Sequence, residues 1–542
     1  MGIPSYFSYI VRNHADIIKK FDSSTIQIHN LYLDCNSVIY DIIHETDFTK
    51  IDVKNTEYII NKVCVKIKSY INLLNPSNNV FIAFDGVAPV AKLEQQRNRR
   101  YKSWYQSMIT SQIYGSDPKI QWDTTAITPG TSFMKLLSDT IYKTFTEDSN
   151  IKYLKNLIIS CSDFAGEGEH KLFEYIRNYP DQHNSFNTVI YGLDADLIML
   201  SINHLPIAPN IFLYRETPHF IKSINSELEP NESYMIDIPE LTQTIINDMN
   251  NNEPLNTLQQ QNRIYDYIFL CFFLGNDFMP HFPSCNIRTG GIHKLLSAYK
   301  ETLGSRNENL TNGTKIYWKN VRKLVAYMAE KEQYNLRGEH IKRDRTEKKQ
   351  LSNVTNDDKY ELFNVSPCYQ RENEKPINPF KPNWEERYYK QLFNIEPEDL
   401  SKSAKQKICV NFMEGLEWTM KYYTTGCANW KWSYKYHYPP LFSDLIKFMP
   451  VFDKEFITQM PKQPVKDITQ LAYVLPKHSL YLLSKSIYNK LKTQHPEWYI
   501  DNCDFKWAYC RYFWESHVEL PEINIDTLES VLYTFEDLKW HG

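Results

Sequence analysis

Apolar residues along this chain follow two different spacings. Short continuous runs, Leu31–Asp34, Val80–Asp85, Leu157–Cys161 and Thr188–Tyr191, are bounded by polar or turn residues. That is the pattern of strands buried on both faces. Between them lie stretches with helical spacing. Pro4 suits a helix start, and Phe7, Ile10, Val11 and Ile17 then form one stripe. Residues 35–45 read as a helix, Pro89 and the pair Thr128–Pro129 suit further helix starts, and Glu169–Arg177 reads as another helix. Strands alternating with helices predict an α/β fold, a mixed or parallel sheet flanked by helices.

The runs share a second property: each delivers an acid at or just past its end. Asp34 and Asp85 close two of them, and Asp194 and Asp196 follow Tyr191 after a glycine. Glu167 and Glu169, interleaved with Gly166 and Gly168, follow the Leu157–Cys161 run. Asp277 follows the apolar segment that ends at Gly275. Residues two apart do not face each other on a helix, but in a turning or extended backbone they point the same way. The carboxyl ends of strands are where open α/β sheets hold ligands. Acids gathered there repel one another unless a cation neutralises them, and hard oxygen donors suit Mg²⁺ or Mn²⁺. Taken alone, either pair is more simply a solvated acidic loop, and a lone strand-end Asp a helix cap or turn residue. Recurrence at several strand ends makes a shared metal site the better reading.

A few residues after Asp85, Lys92, Gln96, Arg99 and Arg100 fall at i, i+4, i+7 and i+8, one face of the helix that Pro89 opens, with Arg97 pointing elsewhere. A charge run is most often a solvated face. Its closeness to Asp85 instead sets a phosphate-binding pocket beside a metal site, and Arg forks with Lys suit a terminal phosphate. Farther on, Trp430, Trp432, Tyr434, Tyr436 and Tyr438 alternate, so an extended segment puts them on one face. They form either aromatic core or a platform on which one or two rings stack bases. Between these regions, Glu339–Asp358 is dense in charge and poor in apolar residues, and is expected to be a mobile surface segment.

Composition adds little that is specific. The net charge of −4 does not advertise nucleic acid, so any basic surface is local. Ten cysteines without zinc or CxxC spacing read as reduced thiols of an intracellular, most simply cytoplasmic, protein. No signal peptide is expected, and no apolar run reaches transmembrane length.

The motifs MGIP, YLDCNS, FDGVAP with KLEQQRNRR, ITPGTSFM, GEGEHK, YGLDADLIML and FLCFFLGNDFMPH stand in this order. EGLEWTMKYYTTGCANWKWSYKYHYPP and QLAYVLP follow. In these motifs the chain resembles the Xrn family of 5′→3′ exoribonucleases, over most of Met1–Tyr299 and Trp384–Pro521. The resemblance implies catalytic, metal-binding acids at Asp34, Asp85, Glu167, Glu169, Asp194, Asp196 and Asp277. It implies a 5′-monophosphate pocket at Lys92, Gln96, Arg99 and Arg100. The family usually has a base-stacking His where this chain has Tyr40, so Tyr40 is expected on one side of the terminal bases and Trp430 or Trp432 on the other. The expected organisation is a nuclease core over 1–302, a variable, partly mobile connection over 303–383, and a mainly helical second conserved region over 384–542 that packs against the core. The chain is also expected to lack the long carboxyl-terminal extension of the large cytoplasmic members. Its Asn, Ile, Lys and Tyr content fits an AT-rich genome such as that of a large DNA virus.

The expected reaction is hydrolysis of 5′-monophosphorylated single-stranded RNA to nucleoside 5′-monophosphates, assisted by two Mg²⁺ ions for which Mn²⁺ can substitute. Expected partners are the RNA alone, with no membrane, no obligate protein partner and a monomeric state. The competing readings are a structure-specific flap endonuclease and an inactive RNA-binding scaffold.

Overall fold

The computed structural model describes residues 3–539 except 4, 23–25, 49–54, 116–121, 217–218, 231, 252, 305–307 and 458–462. Pro4 and most of the MGIP motif therefore lie outside the described residues. Seven strands, β1 (Ile18–Lys20), β2 (Asn30–Asp34), β3 (Asn79–Ala83), β4 (Asn156–Ser160), β5 (Thr188–Tyr191), β6 (Ile211–Glu216) and β7 (Ser233–Asp237), form one sheet. Their order is β1-β7-β6-β5-β2-β3-β4. The five strands from β4 to β6 are parallel, and β7 and β1 add an antiparallel edge. The sheet is thus mixed with a parallel centre, as expected.

β2, β3 and β4 begin one residue before their apolar runs, each at an asparagine, and β4, expected to be buried on both faces, is instead the partly exposed edge of the sheet. Asn30 pairs in register with Asn79, and Asn79 with Asn156. The side-chain amide of Asn79 donates to Asn30 Oδ1 at 2.9 Å, that of Asn156 to Asn79 Oδ1 at 2.9 Å, and that of Asn30 to Thr188 Oγ1 at 3.1 Å. This ladder of satisfied amides locks the register of four strands at the end opposite the acids. A slip by one residue would leave the buried amides unpaired, at about 1–3 kcal/mol each.

Alternate side chains face two cores. Leu31, Leu33, Val80 and Ile82 pack with the helices Asn36–Glu45, Thr56–Leu74 and Ser132–Thr146. Tyr32, Phe81 and Ile190 face the helices Gly168–Asn178 and Asp196–His204. The second core runs on without interruption through Phe269 and Phe273 to Phe412, Leu416, Trp418 and Trp432 of the second conserved region. Leu93 and Val90 similarly join Leu471, Val474 and Leu528. The mainly helical second region therefore packs directly on the α/β part.

The stretch expected to be a mobile surface segment, Glu339–Asp358, differs. A 30-residue helix, Trp318–Glu347, runs through its first half, and a second helix starts at Asn356. Its charges are partly internal. Arg343 donates to Glu374 Oε1 at 2.7 Å and to the carbonyls of Pro367 and Cys510, while Arg371 holds the same glutamate. Arg371 and Glu374 are 3% and 1% exposed. Dense charge looked like solvated surface because its partners lie far along the chain.

Candidate metal and phosphate site

The chain runs from β2 to β3 and β4 on one side, then returns to place β5 on the other side of β2. The carboxyl ends of β2, β3 and β5 consequently border the crevice where such a sheet reverses its direction of growth. Asp34 ends β2, Asp85 lies two residues past β3, and Asp194 three past β5. The loop after β4 brings in Glu167 and starts the Gly168–Asn178 helix, with Gly166 in the left-handed region at φ 106°. Gly168 donates its N–H to Asp85 Oδ1 at 2.6 Å, so a helix amino terminus points at that carboxylate. The other Asp85 oxygen accepts from the Asn36 amide at 2.5 Å, and Asn36 Oδ1 accepts from the Asp85 N–H.

Gly168 is required by space. A Cβ there would lie 2.7 Å from Asp34 Oδ1 and 3.4 Å from Asp85 Oδ1. Gly168→Ala, although favourable for a helix by about 1 kcal/mol, is expected to push Asp34 aside. It should weaken divalent-ion binding about tenfold, a typical loss for disturbed ligand support, with the melting temperature little changed. A Mn²⁺ titration alongside thermal unfolding checks both halves.

Glu169 follows Gly168 on its helix, and Asp196, Glu167 and Asp277 are held by further contacts. Asp196 opens the Asp196–His204 helix, and its Oδ1 accepts from the Tyr423 hydroxyl at 2.9 Å. Glu167 Oε1 accepts from the Tyr422 hydroxyl at 2.8 Å. Asp277 follows Gly275 in a turn held by Asn276 Oδ1, which accepts from the N–H groups of Phe278 and Met279. Lys92 sits among these acids, with Nζ 2.5 Å from Glu167 Oε2 and 2.7 Å from Asp277 Oδ2. Gln95 also donates to Asp277. Glu167, Glu169, Asp196 and Asp277 are all buried.

The electrostatics follow from that crowding. Burial, then Asp85 and Asp194, push the Asp34 carboxyl well above its ordinary range. Burial drives Glu169 well up despite Lys92. Burial and Asp277 raise Asp196 to about 7. Lys92 holds Asp277 far below the usual range against the effect of burial. Burial opposes charge on the Lys92 ammonium, but Asp277 and Glu167 more than compensate. Seven acids around the Lys92 ammonium leave an excess of hard oxygen donors, which is the donor set of a divalent-cation site. Glu167, Glu169 and His170 also present ligand atoms within 4.8 Å of one another.

Lys92 belongs to the Val90–Tyr114 helix, whose start is fixed from the second region. Val90 N–H donates to the Trp430 carbonyl at 2.8 Å, and Ala88 N–H to Gln470 Oε1 at 2.9 Å. Gln470 also reaches Gln96 at 3.5 Å. About two turns beyond Lys92, Arg100 bonds the hydroxyl of Thr128 in the ITPGT motif. Its Nη1 is buried and meets no hydrogen-bond partner among the described residues. Burial pushes this guanidinium down to about 10, with Arg99 adding to the effect. Tyr40, half-buried, lies within electrostatic reach of both arginines. Arg97 lies off this face, as its position on the helix required. It is buried and donates to the carbonyls of Pro521 and Trp498.

The alternating aromatics do not form one exposed face. Trp432, Tyr434 and Tyr438 are buried, and the Trp432 ring stacks on Trp418 at 5.2 Å. Trp430 and Tyr436 keep part of their surface accessible. Of the two tryptophans expected to stack bases, Trp430 is the more accessible. Spacing alone did not single out Asn36, Thr128, Gln470, Tyr422 or Tyr423. Each lies inside a recognised motif, but its contact partner is remote in sequence.

Two family models match the chain: an XRN 5′-3′ exonuclease N-terminus over residues 1–217, and an Xrn1 helical domain over 257–378 and 368–538. Among curated proteins, 5′-3′ exoribonuclease 2 of Gallus gallus is 26% identical over 98% of this chain and 70% of its own length. 5′-3′ exoribonuclease 2 of Arabidopsis thaliana is 26% identical over 96% and 66%. 5′-3′ exoribonuclease 1 of Saccharomyces cerevisiae is 27% identical over 89% and 40%. The chain thus spans about two thirds of the first two relatives and two fifths of the third.

Proposed function

This chain belongs to the Xrn family of 5′→3′ exoribonucleases, and on that footing we propose that it hydrolyses the first phosphodiester of 5′-monophosphorylated single-stranded RNA, releasing nucleoside 5′-monophosphates. The observation that carries the reading is the join between two charge types. One helix directs Lys92 into the carboxylates and, two turns on, offers Arg99 and Arg100, the latter with a buried guanidinium nitrogen that lacks a partner among the described residues. A terminal phosphate would satisfy that nitrogen and be held by Gln96, Arg99 and Arg100. With the terminal phosphate so anchored, the next phosphate along the strand falls toward the acids.

Asp34, Asp85, Glu167, Glu169, Asp194, Asp196 and Asp277 would hold two Mg²⁺ or Mn²⁺ ions. When bound, such ions supply Lewis-acid stabilisation and an activated water at a phosphate. Lys92 would keep the acids partly neutralised and orient the substrate. Tyr40 and Trp430 would flank the terminal bases, holding them by stacking, which is indifferent to base identity. The chain would act as a monomer in RNA decay, in the cytoplasm, a compartment in keeping with ten cysteines that form no disulfide among the described residues. Among the described residues no helix is long and apolar enough to cross a membrane.

End-labelled RNA carrying a 5′-phosphate, a 5′-hydroxyl or a cap tests this. Mononucleotides released from the 5′ end of the phosphorylated substrate, with little from the other two, are expected. A single internal cut points to a flap endonuclease, and binding without cleavage to a scaffold. Either result overturns the proposal.

A further inference from the structure

Two consecutive tyrosines of the second region reach the acids of the first. They belong to the Lys402–Thr424 helix. Neighbours on a helix point about 100° apart, so adjacent side chains can serve two separate targets. Tyr422 bonds Glu167, at the start of one helix, and Tyr423 bonds Asp196, at the start of another. Both tyrosines are buried, at 3% and 1% exposure.

Their rings are held in place. Tyr422 stacks on His170 at 3.8 Å and on Trp418 at 4.8 Å, and Trp418 stacks on Trp432. Trp418 is fixed in turn by its indole N–H, which donates to the Asn429 carbonyl at 2.8 Å. Tyr423 meets Phe272 edge-on at 5.4 Å, and its carbonyl accepts from the Asn203 amide of the Asp196–His204 helix. A ladder of four rings thus runs from the aromatic-rich loop to the acid cluster.

We propose that Tyr422 and Tyr423 are positioning residues for the metal-binding acids, so that the second conserved region completes the metal site. This inference rests on the metal-dependent nuclease reading above. Carboxylates crowded together repel and tend to rotate apart. A hydroxyl that donates to one oxygen fixes the plane of the carboxylate and so the direction of its other oxygen, which in Glu167 meets Lys92. Partners of this kind orient metal ligands and strengthen binding. Packing alone requires only the rings; positioning requires the hydroxyls.

The test uses the full chain, metal-free, titrated with Mn²⁺ and followed by electron paramagnetic resonance. Tyr422→Phe and Tyr423→Phe retain each ring and delete each hydroxyl. Each is expected to weaken Mn²⁺ binding about tenfold and to raise the Mg²⁺ concentration that half-saturates cleavage in parallel. Turnover at saturating Mg²⁺ should recover, and RNA binding in EDTA should be unchanged. Unchanged Mn²⁺ affinity in a folded variant overturns the role of that tyrosine, whether or not its melting temperature falls. The variants are made separately, so a folding failure in one leaves the other to decide. Absence of Mn²⁺ binding by the unaltered protein overturns the proposal outright. Absence of exonuclease activity alone sinks the functional reading and leaves the Mn²⁺ comparison to judge this one.

Discussion

Asp194→Asn is expected to abolish RNA cleavage while the protein still folds and still binds RNA. Asp194 lies in the loop past β5, where its Oδ1 accepts the N–H of Ala195 at 2.9 Å. Asn is isosteric and retains that oxygen, so the loop keeps its local bond. What disappears is one negative charge in a cluster that is already over-supplied with them. Asp194 helps to hold the Asp34 carboxyl high, but its own carboxyl is held below the ordinary range against burial, with Lys92 contributing, so the metal-free protein should fold with at most a modest loss of stability. The catalytic consequence is far larger. A divalent ion at a phosphate contributes several kcal/mol of charge stabilisation, and about 4 kcal/mol corresponds to roughly a thousandfold in rate. Turnover of 5′-phosphorylated RNA, thermal unfolding and RNA binding in EDTA, measured on one preparation, separate these effects. Near-normal turnover at saturating Mg²⁺ removes Asp194 from the metal site.

Local pattern was enough to read the acids and the strands that carry them. An apolar run followed by an acid marks a strand end whatever surrounds it, and four such runs became β2, β3, β4 and β5 with shifts of one or two residues. The features that pattern did not reveal depend on partners distant in sequence. The Asn30–Asn79–Asn156 ladder shows only once three strands lie side by side. The buried Arg343 looked solvated because its partner Glu374 lies well beyond the charged stretch, on a separate segment of the chain. Helical spacing placed Lys92 on the face of Arg99 and Arg100, and that direction is right for its Cα. The long side chain then bends to Glu167 and Asp277, because its ammonium gains more from the carboxylates. Alternation put Trp430 and Trp432 on one face but could not say which ring would be covered. That was decided by Trp418, on a helix ending six residues before Trp430.

Arg100→Ala should cost about 2–4 kcal/mol of transition-state stabilisation on 5′-phosphate RNA, roughly 30- to 900-fold in kcat/KM, as loss of a buried charged hydrogen bond does. Two observations support so large a figure. The Nη1 atom of Arg100 is buried without a partner among the described residues, and Thr128 already fixes the other end of the fork. The guanidinium is therefore desolvated and aimed before any anion arrives, so little reorganisation is left to oppose binding. Folding should not suffer. Thr128 keeps its own bond to the Thr125 carbonyl at 2.6 Å, and removing a cation that burial disfavours relieves strain in the unliganded protein. Arg100→Lys separates charge from shape. It preserves the cation but loses the planar fork, and should recover only part of the rate. The substrate comparison is decisive. RNA with a 5′-hydroxyl has no terminal phosphate to lose, so Arg100→Ala should change its slow degradation several-fold at most. Equal losses on the two substrates would make this helix face a general backbone contact, and the reading of a terminal-phosphate pocket would then fail.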